Sequence, residues 1–411
     1  MLLAKVARRI IKRGKLTIID ADGRSHSAGK AGEEPAATIR LTNKAWQRRI
    51  LLNPQLAIGE AYMEGALEPV DCDIRDVLRV MIANTGNTTD NRWYGALNRL
   101  RFLTRRIAQH NPVGRAKENV AHHYDLSDTL YDHFLDRDRF YSCAYFEPGI
   151  DDLEAAQTAK ARHLAAKLRI RPGDSVLDIG SGWGSLALHL SRLGAGRIDG
   201  VTLSEEQHAY ARRWMEREGA DDRVDIRLQD YRDVTERYDR IVSVGMFEHV
   251  GVGHYPEYFR AVRDLLEEDG IAVIHSIGHS GPPTSNNPWI EKYIFPGGYI
   301  PSLSEVLPVI ERTGLKVTDV EILRLHYAET LRHWRQRFDA HREEIRDLYD
   351  ERFCRMWEFY LAGSEMSFRE GELMVFQIQL AKQHDAVPLT RDYITDFDRA
   401  HAKGFVGQAA E

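Results

Sequence analysis

Val176-Leu177-Asp178-Ile179-Gly180-Ser181-Gly182-Trp183-Gly184 decides how the rest of the chain is read. A short apolar run ends near an acid, glycines follow at alternate positions, and Leu186, Leu188 and Leu190 begin an apolar-periodic segment. This order predicts a buried strand, a tight turn and a helix. A ligand belongs at the turn, because glycine accepts positive φ and lets another molecule approach without meeting a Cβ, while the next helix offers unpaired N–H groups. The spacing is Asp-x-Gly-x-Gly-x-Gly, unlike the Gly-x-Gly-x-x-Gly of dinucleotide folds, and no Lys-Ser/Thr follows as a triphosphate loop requires. Taken alone, the loop is equally readable as a purely structural turn.

From about residue 155 the pattern alternates helix and strand, which predicts a doubly wound α/β domain with strands at 175–178, 197–202, 224–228, 240–244, 271–276 and 315–323. After His326 the chain reads as mainly helical, with Trp334, Phe338, Phe353, Trp357, Tyr360, Phe368, Phe376 and Leu380 as core faces. Ligands of such folds lie beyond the carboxyl ends of the strands. There, Thr202-Leu203-Ser204-Glu205-Glu206-Gln207 offers hydrogen bonds to ribose hydroxyls, or a helix cap by Ser204 with Gln207 three residues on. Gln229-Asp230-Tyr231 offers a carboxylate for an adenine amino group beside a stacking ring, or a helix N-cap. Three strand ends with compatible chemistry outline a nucleoside-shaped site.

Upstream, residues 2–13 set Leu2, Leu3, Val6, Ile10 and Ile11 against basic residues at near-helical spacing. That amphipathic helix either docks on its own domain or meets a lipid surface. Strands at 16–23 and 37–41 and a helical stretch at 44–63, interrupted by Asn53-Pro54, complete a small mixed domain. The polar run at 83–90 reads as a loop or linker, and Leu97, Leu100, Leu103 and Ile107 with Arg99, Arg101, Arg105 and Arg106 as a second basic amphipathic helix.

The 411 residues are 43% hydrophobic and 29% charged with net charge −6, which argues against wholesale nucleic-acid binding. Residues 1–15 nonetheless carry six basic residues and no acid. Cys72, Cys143 and Cys354 stand far apart with no Cys-x-x-Cys pair, against a disulfide framework or a zinc site. No run reaches the about 20 apolar residues of a spanning helix. The expectation is a cytoplasmic protein lying peripherally on the inner face of the membrane.

Asp178-x-Gly180-x-Gly182-Trp183-Gly184, Thr202-Leu203-Ser204-x-x-Gln207 and Phe247-Glu248-His249-Val250-Gly251 together resemble the cyclopropane-fatty-acyl-phospholipid synthase family, relatives of the mycolic acid cyclopropane synthases. Ala121-His122-His123-Tyr124-Asp125-Leu126-Ser127, Tyr141-Ser142-Cys143-Ala144-Tyr145-Phe146 and Tyr293-Ile294-Phe295-Pro296-Gly297-Gly298 agree. The resemblance is strong over residues 115–385 and weaker before them. It implies a class I S-adenosylmethionine-dependent methyltransferase (Rossmann-like) α/β domain with a smaller N-terminal α+β domain and helical additions. The division it suggests is a lipid-contacting domain at 1–85, a linker and basic helix at 86–114, the catalytic domain at 115–390 and a tail at 391–411. It further implies S-adenosylmethionine as methylene donor, the unsaturated acyl chain of a bilayer phospholipid as acceptor, and bound bicarbonate as base, with homodimerisation left open.

The bicarbonate cradle carried over is Cys143, Glu248, His275, the backbone at Ile277, and Tyr327; the cofactor set is Tyr141, Ser142, Gly180, Gly182, Thr202, Gln207, Asp230 and Tyr231. These residue types suit an alkene, which is a poor nucleophile: attack leaves a carbocation, and a base in a dry pocket must remove a proton for the ring to close. Imidazole, phenol and thiol donate to an oxyanion, Glu248 accepts its O–H, and Tyr141, Tyr145 and Phe247 offer ring faces to positive charge. An inert packing cysteine and a satisfied core histidine are the competing readings of Cys143 and His275. The segment 288–299 reads as an acyl-channel lid or a core-covering loop. The family often has a cysteine where Tyr360-Leu361-Ala362-Gly363-Ser364 places serine, so an active protein needs no thiolate at 364. A methyl-branched or methylene-bearing product, or a lipid-binding protein without catalysis, are the alternatives.

Overall fold

The structure, a computed structural model, describes residues 1–86 and 128–402. The basic stretch at 97–107, the motif at 121–127 and the polar run beyond residue 86 lie outside the described residues. The chain forms two compact units: Met1–Ala108 with Thr284–Pro296 and Leu331–Leu373, and Gln109–Pro283 with Gly297–Thr330 and Met374–Glu411.

In the first unit, β1 (Lys15–Ile19), β2 (Ser25–Gly29), β3 (Ala36–Leu41) and β4 (Leu67–Pro69) form a sheet of spatial order β2-β1-β3-β4. Leu16, Ile18, Ala37, Ile39 and Leu41 alternate onto one buried face, as a half-covered sheet requires. β2, Ser-His-Ser-Ala-Gly, carries no apolar alternation and escapes a reading by pattern. It forms by pairing with β1 across a turn built by Asp20, whose carboxylate accepts from the Asp22 and Arg24 N–H groups at 3.0 Å. The expected helical stretch is two helices, Lys44–Leu52 and Pro54–Met63; Asn43 caps the first through the Ala45 N–H, and Pro54 starts the second, where its missing N–H costs nothing.

Helix Leu2–Ile10 docks Leu3, Ala4 and Ala7 into this core. Its outer side leaves Leu2 65% exposed beside exposed Lys5, Arg8 and Arg9. Residues 288–293 are a short helix whose Trp289 is fully buried against Met63 and Phe359, its ring 4.6 Å from the latter. A Cβ on Gly59 would fall 2.4 Å from the Trp289 indole nitrogen, so glycine is what admits the ring. Of the two readings of this segment, the core-covering one holds for 288–293. Helix Glu351–Arg369 adds Ala362 and Met366 to the same core.

The second unit is built on a seven-stranded sheet of order β10-β11-β9-β8-β5-β6-β7. Its strands are β5 (Val176–Ile179), β6 (Ile198–Thr202), β7 (Val224–Leu228), β8 (Tyr238–Val244), β9 (Leu266–His279), β10 (Lys316–Ile322) and β11 (Leu373–Ala381). β9, β8, β5, β6 and β7 pair in parallel, and β5, β6 and the middle of β9 are buried on both faces, as parallel strands sheathed by helices are. β11 pairs antiparallel with β10 and sits between it and β9, where the sequence reading expected helix. Being buried along nearly its whole length, β11 shows no alternation, and its glutamines disguise a core strand. Within the expected tail, helix Asp392–His401 seats Ile394 in the interior.

Candidate functional site

The sheet reverses its direction of growth between β5 and β8: the chain runs β5, β6, β7 to one side and then returns to β8 and β9 on the other. Such a switch point opens a crevice at the carboxyl ends of the strands, and both defining motifs lie there. After β5, Gly180, Gly182 and Gly184 take φ of +85°, +56° and +86°, a left-handed run that L side chains resist. Gly200 on β6 lets this loop settle, since a Cβ there would meet Ser181 Cβ at 2.8 Å. After β8, a 3-10 turn at Phe247–His249 presents Glu248.

Around the glycine loop the expected cofactor residues assemble in part. Thr202 Oγ1 donates to Gln207 Oε1 at 3.1 Å, both groups being buried, and Gln207 Nε2 is 3.9 Å from where a Gly182 Cβ would stand. Ser204 accepts from the Gln207 N–H at 3.2 Å, so the capping reading of that strand end holds. Asp230 also acts as a cap: Oδ1 accepts from the Arg232 N–H at 3.0 Å, and the Arg232 guanidinium grips both oxygens at 2.8 and 2.7 Å. Tyr231 meets Tyr258 edge-on at 5.5 Å with Arg232 over its ring.

Segment 141–146 is stitched to the start of helix His326–Ala340. Thr330 Oγ1 accepts from the Ala144 N–H at 3.0 Å, and His326 Nδ1 accepts from the Phe146 N–H at 2.9 Å. Those two bonds bring the first turn of the helix, with Tyr327 in it, to the irregular segment carrying Cys143. The Cys143 thiol is fully buried, donates to the Ala144 carbonyl at 3.3 Å, and is held protonated because burial disfavours thiolate. Cys354 is likewise buried, with Sγ against the Arg342 carbonyl, and all three cysteines are free thiols.

A buried lysine absent from the sequence reading lies under this segment. Lys160, on helix Leu153–Leu168, is fully buried, donates to Ser142 Oγ at 2.9 Å and sits 3.5 Å over the Phe140 ring. Burial pulls its pKa down and pushes up those of Asp136 and Asp178, which its charge in turn favours as carboxylates. The same charge bears on Cys143 and His275. The sequence signal was a helix with alanine and leucine spread around it and little amphipathic contrast, as in a helix buried on nearly every face.

Opposite β5, Glu248 Oε1 accepts from the Ile277 N–H at 2.6 Å, so that N–H is already engaged. Glu248 is 8% exposed, and its Oε2 has no hydrogen-bond partner among the described residues. Burial lifts its carboxyl to about 7, opposed by the Ile277 N–H, the Glu248 N–H and the nearby Ser276 hydroxyl. His275 is buried two residues before Ile277, on the same face of β9, and burial holds its pKa at about 3, so the ring is neutral. Gln377 on β11 bonds its Nδ1 at 3.1 Å.

Two of the three expected charge-stabilising rings have their faces covered. Tyr145 is stacked between His163 and His326, centroids 4.3 and 4.8 Å away, and Phe247 stacks on Tyr255 at 4.5 Å inside an aromatic core. The clustering of aromatic residues in the sequence reflected packing there. Tyr141 remains half-buried, meeting Tyr131 and Phe134 in T-shaped contacts.

The switch-point crevice, the left-handed glycine loop and the capped strand ends define a class I S-adenosylmethionine-dependent methyltransferase. The chain belongs to the mycolic acid cyclopropane synthetase family, whose pattern matches residues 112–378, while residues 9–92 match a domain of unknown function. It is 37% identical to tuberculostearic acid methyltransferase UfaA1 of Mycobacterium tuberculosis over 92% of both chains. It is 38% identical to the cyclopropane-fatty-acyl-phospholipid synthase of Escherichia coli over 85% of this chain and 89% of that one. The solved structure of mycolic acid cyclopropane synthase CmaA1 complexed with SAH and CTAB superposes with a TM-score of 0.61 and 32% identity, over 64% of this chain and 97% of that chain. These relatives bear out the family assignment, the fold class and S-adenosylmethionine-dependent methyl-group chemistry.

Proposed function

We propose that the protein transfers a methylene group from S-adenosylmethionine to the double bond of an unsaturated phospholipid acyl chain, forming a cyclopropane, with bicarbonate as the base. The unpartnered Glu248 Oε2 carries this reading: a buried acceptor without a donor is costly, and an O–H-bearing oxyanion supplies the donor it lacks. Neutral His275 and the Tyr327 phenol fit as uncharged donors toward such an ion; the Cys143 thiol joins them by turning from the Ala144 carbonyl, and the backbone at Ile277, whose N–H bonds Glu248 Oε1, borders the cradle. Bound bicarbonate supplies the base that takes the proton from the added methyl group. Glu248 orients it, and the buried residues around Glu248 and His275 exclude the water that would trap a carbocation.

For the cofactor, Gly180 and Gly182 give backbone access, Thr202 and Gln207 face the ribose side, and Asp230 and Tyr231 border the adenine side, with Tyr141 and Ser142 closing over it. Since Asp230 is already paired to Arg232, it holds the adenine edge best as a positioned, shared carboxylate. Lys160→Met releases Ser142 from a charge-assisted bond worth about 1.5–3 kcal/mol, and is expected to raise the KM for S-adenosylmethionine about 10- to 100-fold with a smaller change in kcat. Steady-state kinetics check this, and an equal fall in kcat alone would contradict it.

The exposed Lys5, Arg8, Arg9, Lys12 and Arg13 around Leu2 support docking on an anionic bilayer, with the protein peripheral to the inner face of the membrane. The test is product analysis: full-length protein with S-adenosylmethionine and vesicles of unsaturated phospholipid should add one methylene per acyl chain, with cyclopropane ring protons in the NMR spectrum. No mass gain would sink the proposal. A second reading, addition of a branching methyl group, is favoured by the likeness to the tuberculostearic acid methyltransferase over 92% of the chain, and a new methyl signal without ring protons would select it.

A further inference from the structure

Two buried glutamines lie two residues apart on β11 and so share a face, yet their surroundings differ. Gln379 is saturated: its Nε2 donates to the Lys167 carbonyl and its Oε1 accepts from Thr318 Oγ1 at 2.7 Å and the Tyr393 hydroxyl at 3.1 Å. Gln377 has one partner, His275 Nδ1 at 3.1 Å, and its Oε1 is buried with none among the described residues. A buried amide that leaves one end unsatisfied is retained against a penalty of about 1–3 kcal/mol, so the bond it does make calls for a reason.

With its amide nitrogen toward His275, Gln377 donates to Nδ1, and that placement makes Nδ1 the lone-pair nitrogen and puts the ring proton on Nε2. We propose that Gln377 is a positioning residue that fixes His275 as the Nε2–H tautomer, turning the imidazole into a proton donor toward the oxyanion cluster of Glu248, Cys143 and Ile277. This rests on the cradle reading above and adds what that reading leaves open, namely how a neutral histidine is made to donate instead of accept. The other tautomer would turn a lone pair on an anion already facing a carboxylate. Because burial keeps the ring neutral, tautomer and not protonation is the variable the fold must set.

The experiment uses full-length protein with 15N-labelled histidine, the His275 signals being assigned by their loss in His275→Asn. Two-bond nitrogen–proton correlation should show His275 protonated at Nε2 and bare at Nδ1. Gln377→Glu, read at a pH above the titration of the buried carboxyl so that it puts an acceptor against Nδ1, should reverse the pattern, raise the bicarbonate concentration needed for half-maximal turnover at least about tenfold and leave S-adenosylmethionine affinity unchanged. Gln377→Met, of similar shape with no donor, should give a mixture of tautomers and serves as the second variant if the carboxylate hinders folding. A proton on Nδ1 in the wild type, or the same tautomer in wild type and both variants, overturns the proposal. A reversed tautomer with unchanged turnover and bicarbonate dependence overturns the donor role of His275, and with it that part of the cradle, while absence of any product in the wild type strikes the proposed reaction itself.

Discussion

Glu248→Gln is expected to cut turnover by about 10²-fold or more, to leave S-adenosylmethionine affinity within about threefold, and to make the protein more stable above pH 7. Gln keeps an oxygen to accept from the Ile277 N–H, so the turn at Phe247–His249 retains its anchor. It replaces the unpartnered Oε2 with an NH2 that cannot accept an O–H, so the proposed bicarbonate would no longer be oriented. The stability effect follows from the sign of the pKa shift. An unfolded-chain glutamate titrates near about 4.3, whereas burial lifts Glu248 to about 7. Between those values the native state holds a proton that the unfolded chain has lost, so stability falls as pH rises through the window and the penalty is complete above pH 7. That shift amounts to about 4 kcal/mol, of which Gln should recover about 2 after the cost of its own unsatisfied NH2. Urea unfolding of both proteins at pH 5 and pH 8 measures it, with the gain present only at pH 8. A variant less stable than wild type at pH 8, or fully active, would refute the assignment. Wild-type turnover should correspondingly show an acid limb near pH 7 that Gln abolishes.

Gly180→Val should abolish cofactor binding, lowering S-adenosylmethionine affinity by about 10²-fold or more. At φ +85° a β-branched residue is strained by about 1–3 kcal/mol, and its Cβ would stand 2.8 Å from Met246 Cβ and Cγ, adding about 1–3 kcal/mol of overpacking. Met246 leads directly into the Glu248 turn, so relief of the clash moves both edges of the crevice. Gly182→Ala is milder, since at φ +56° its Cβ would find only Gln207 Nε2 at 3.9 Å and the strain is about 1–2 kcal/mol. Calorimetric titration with S-adenosylmethionine, beside a thermal melt, separates loss of the site from loss of the fold. Near-normal affinity in the valine variant would show that the loop does not bind the cofactor.

The parts of this fold that were legible in the sequence are those where local pattern and tertiary role coincide. β5 to β8 are strand-length stretches of continuous or alternating apolar residues bounded by turns, the glycine loop carries its φ requirement in its composition, and Asn53-Pro54 marks a helix boundary by chemistry alone. β2 and β11 were not legible, the first because it has no apolar side to show and the second because burial on both faces removes the alternation. At the site, the family resemblance singled out Cys143, Glu248 and His275 as candidates, but the partners that set their state were invisible. Lys160 and Gln377 come from a helix before the loop and from the last strand, 217 positions apart in sequence by number. Trp289 and Tyr145 show the converse: an aromatic residue in a glycine-rich or motif segment looks functional until Gly59, or His163 and His326, are found on its faces.

The core of the first unit has a consequence for synthesis. Trp289 rests on Gly59 and Met63, and Ala362 and Met366 join Leu3, Ile18 and Val77 in one apolar cluster. The amino-terminal residues are made first but cannot bury their surface until residues beyond 360 have left the ribosome. The nascent chain therefore carries an unfinished sheet and helices through most of translation, and the second unit, interleaved in the same stretch, is completed only by β11 and the helix at Asp392–His401. A gene cut between residues 86 and 128 would not yield two halves that each fold: the front piece would lack its late helices, and the rear piece would expose the apolar side those helices keep for it.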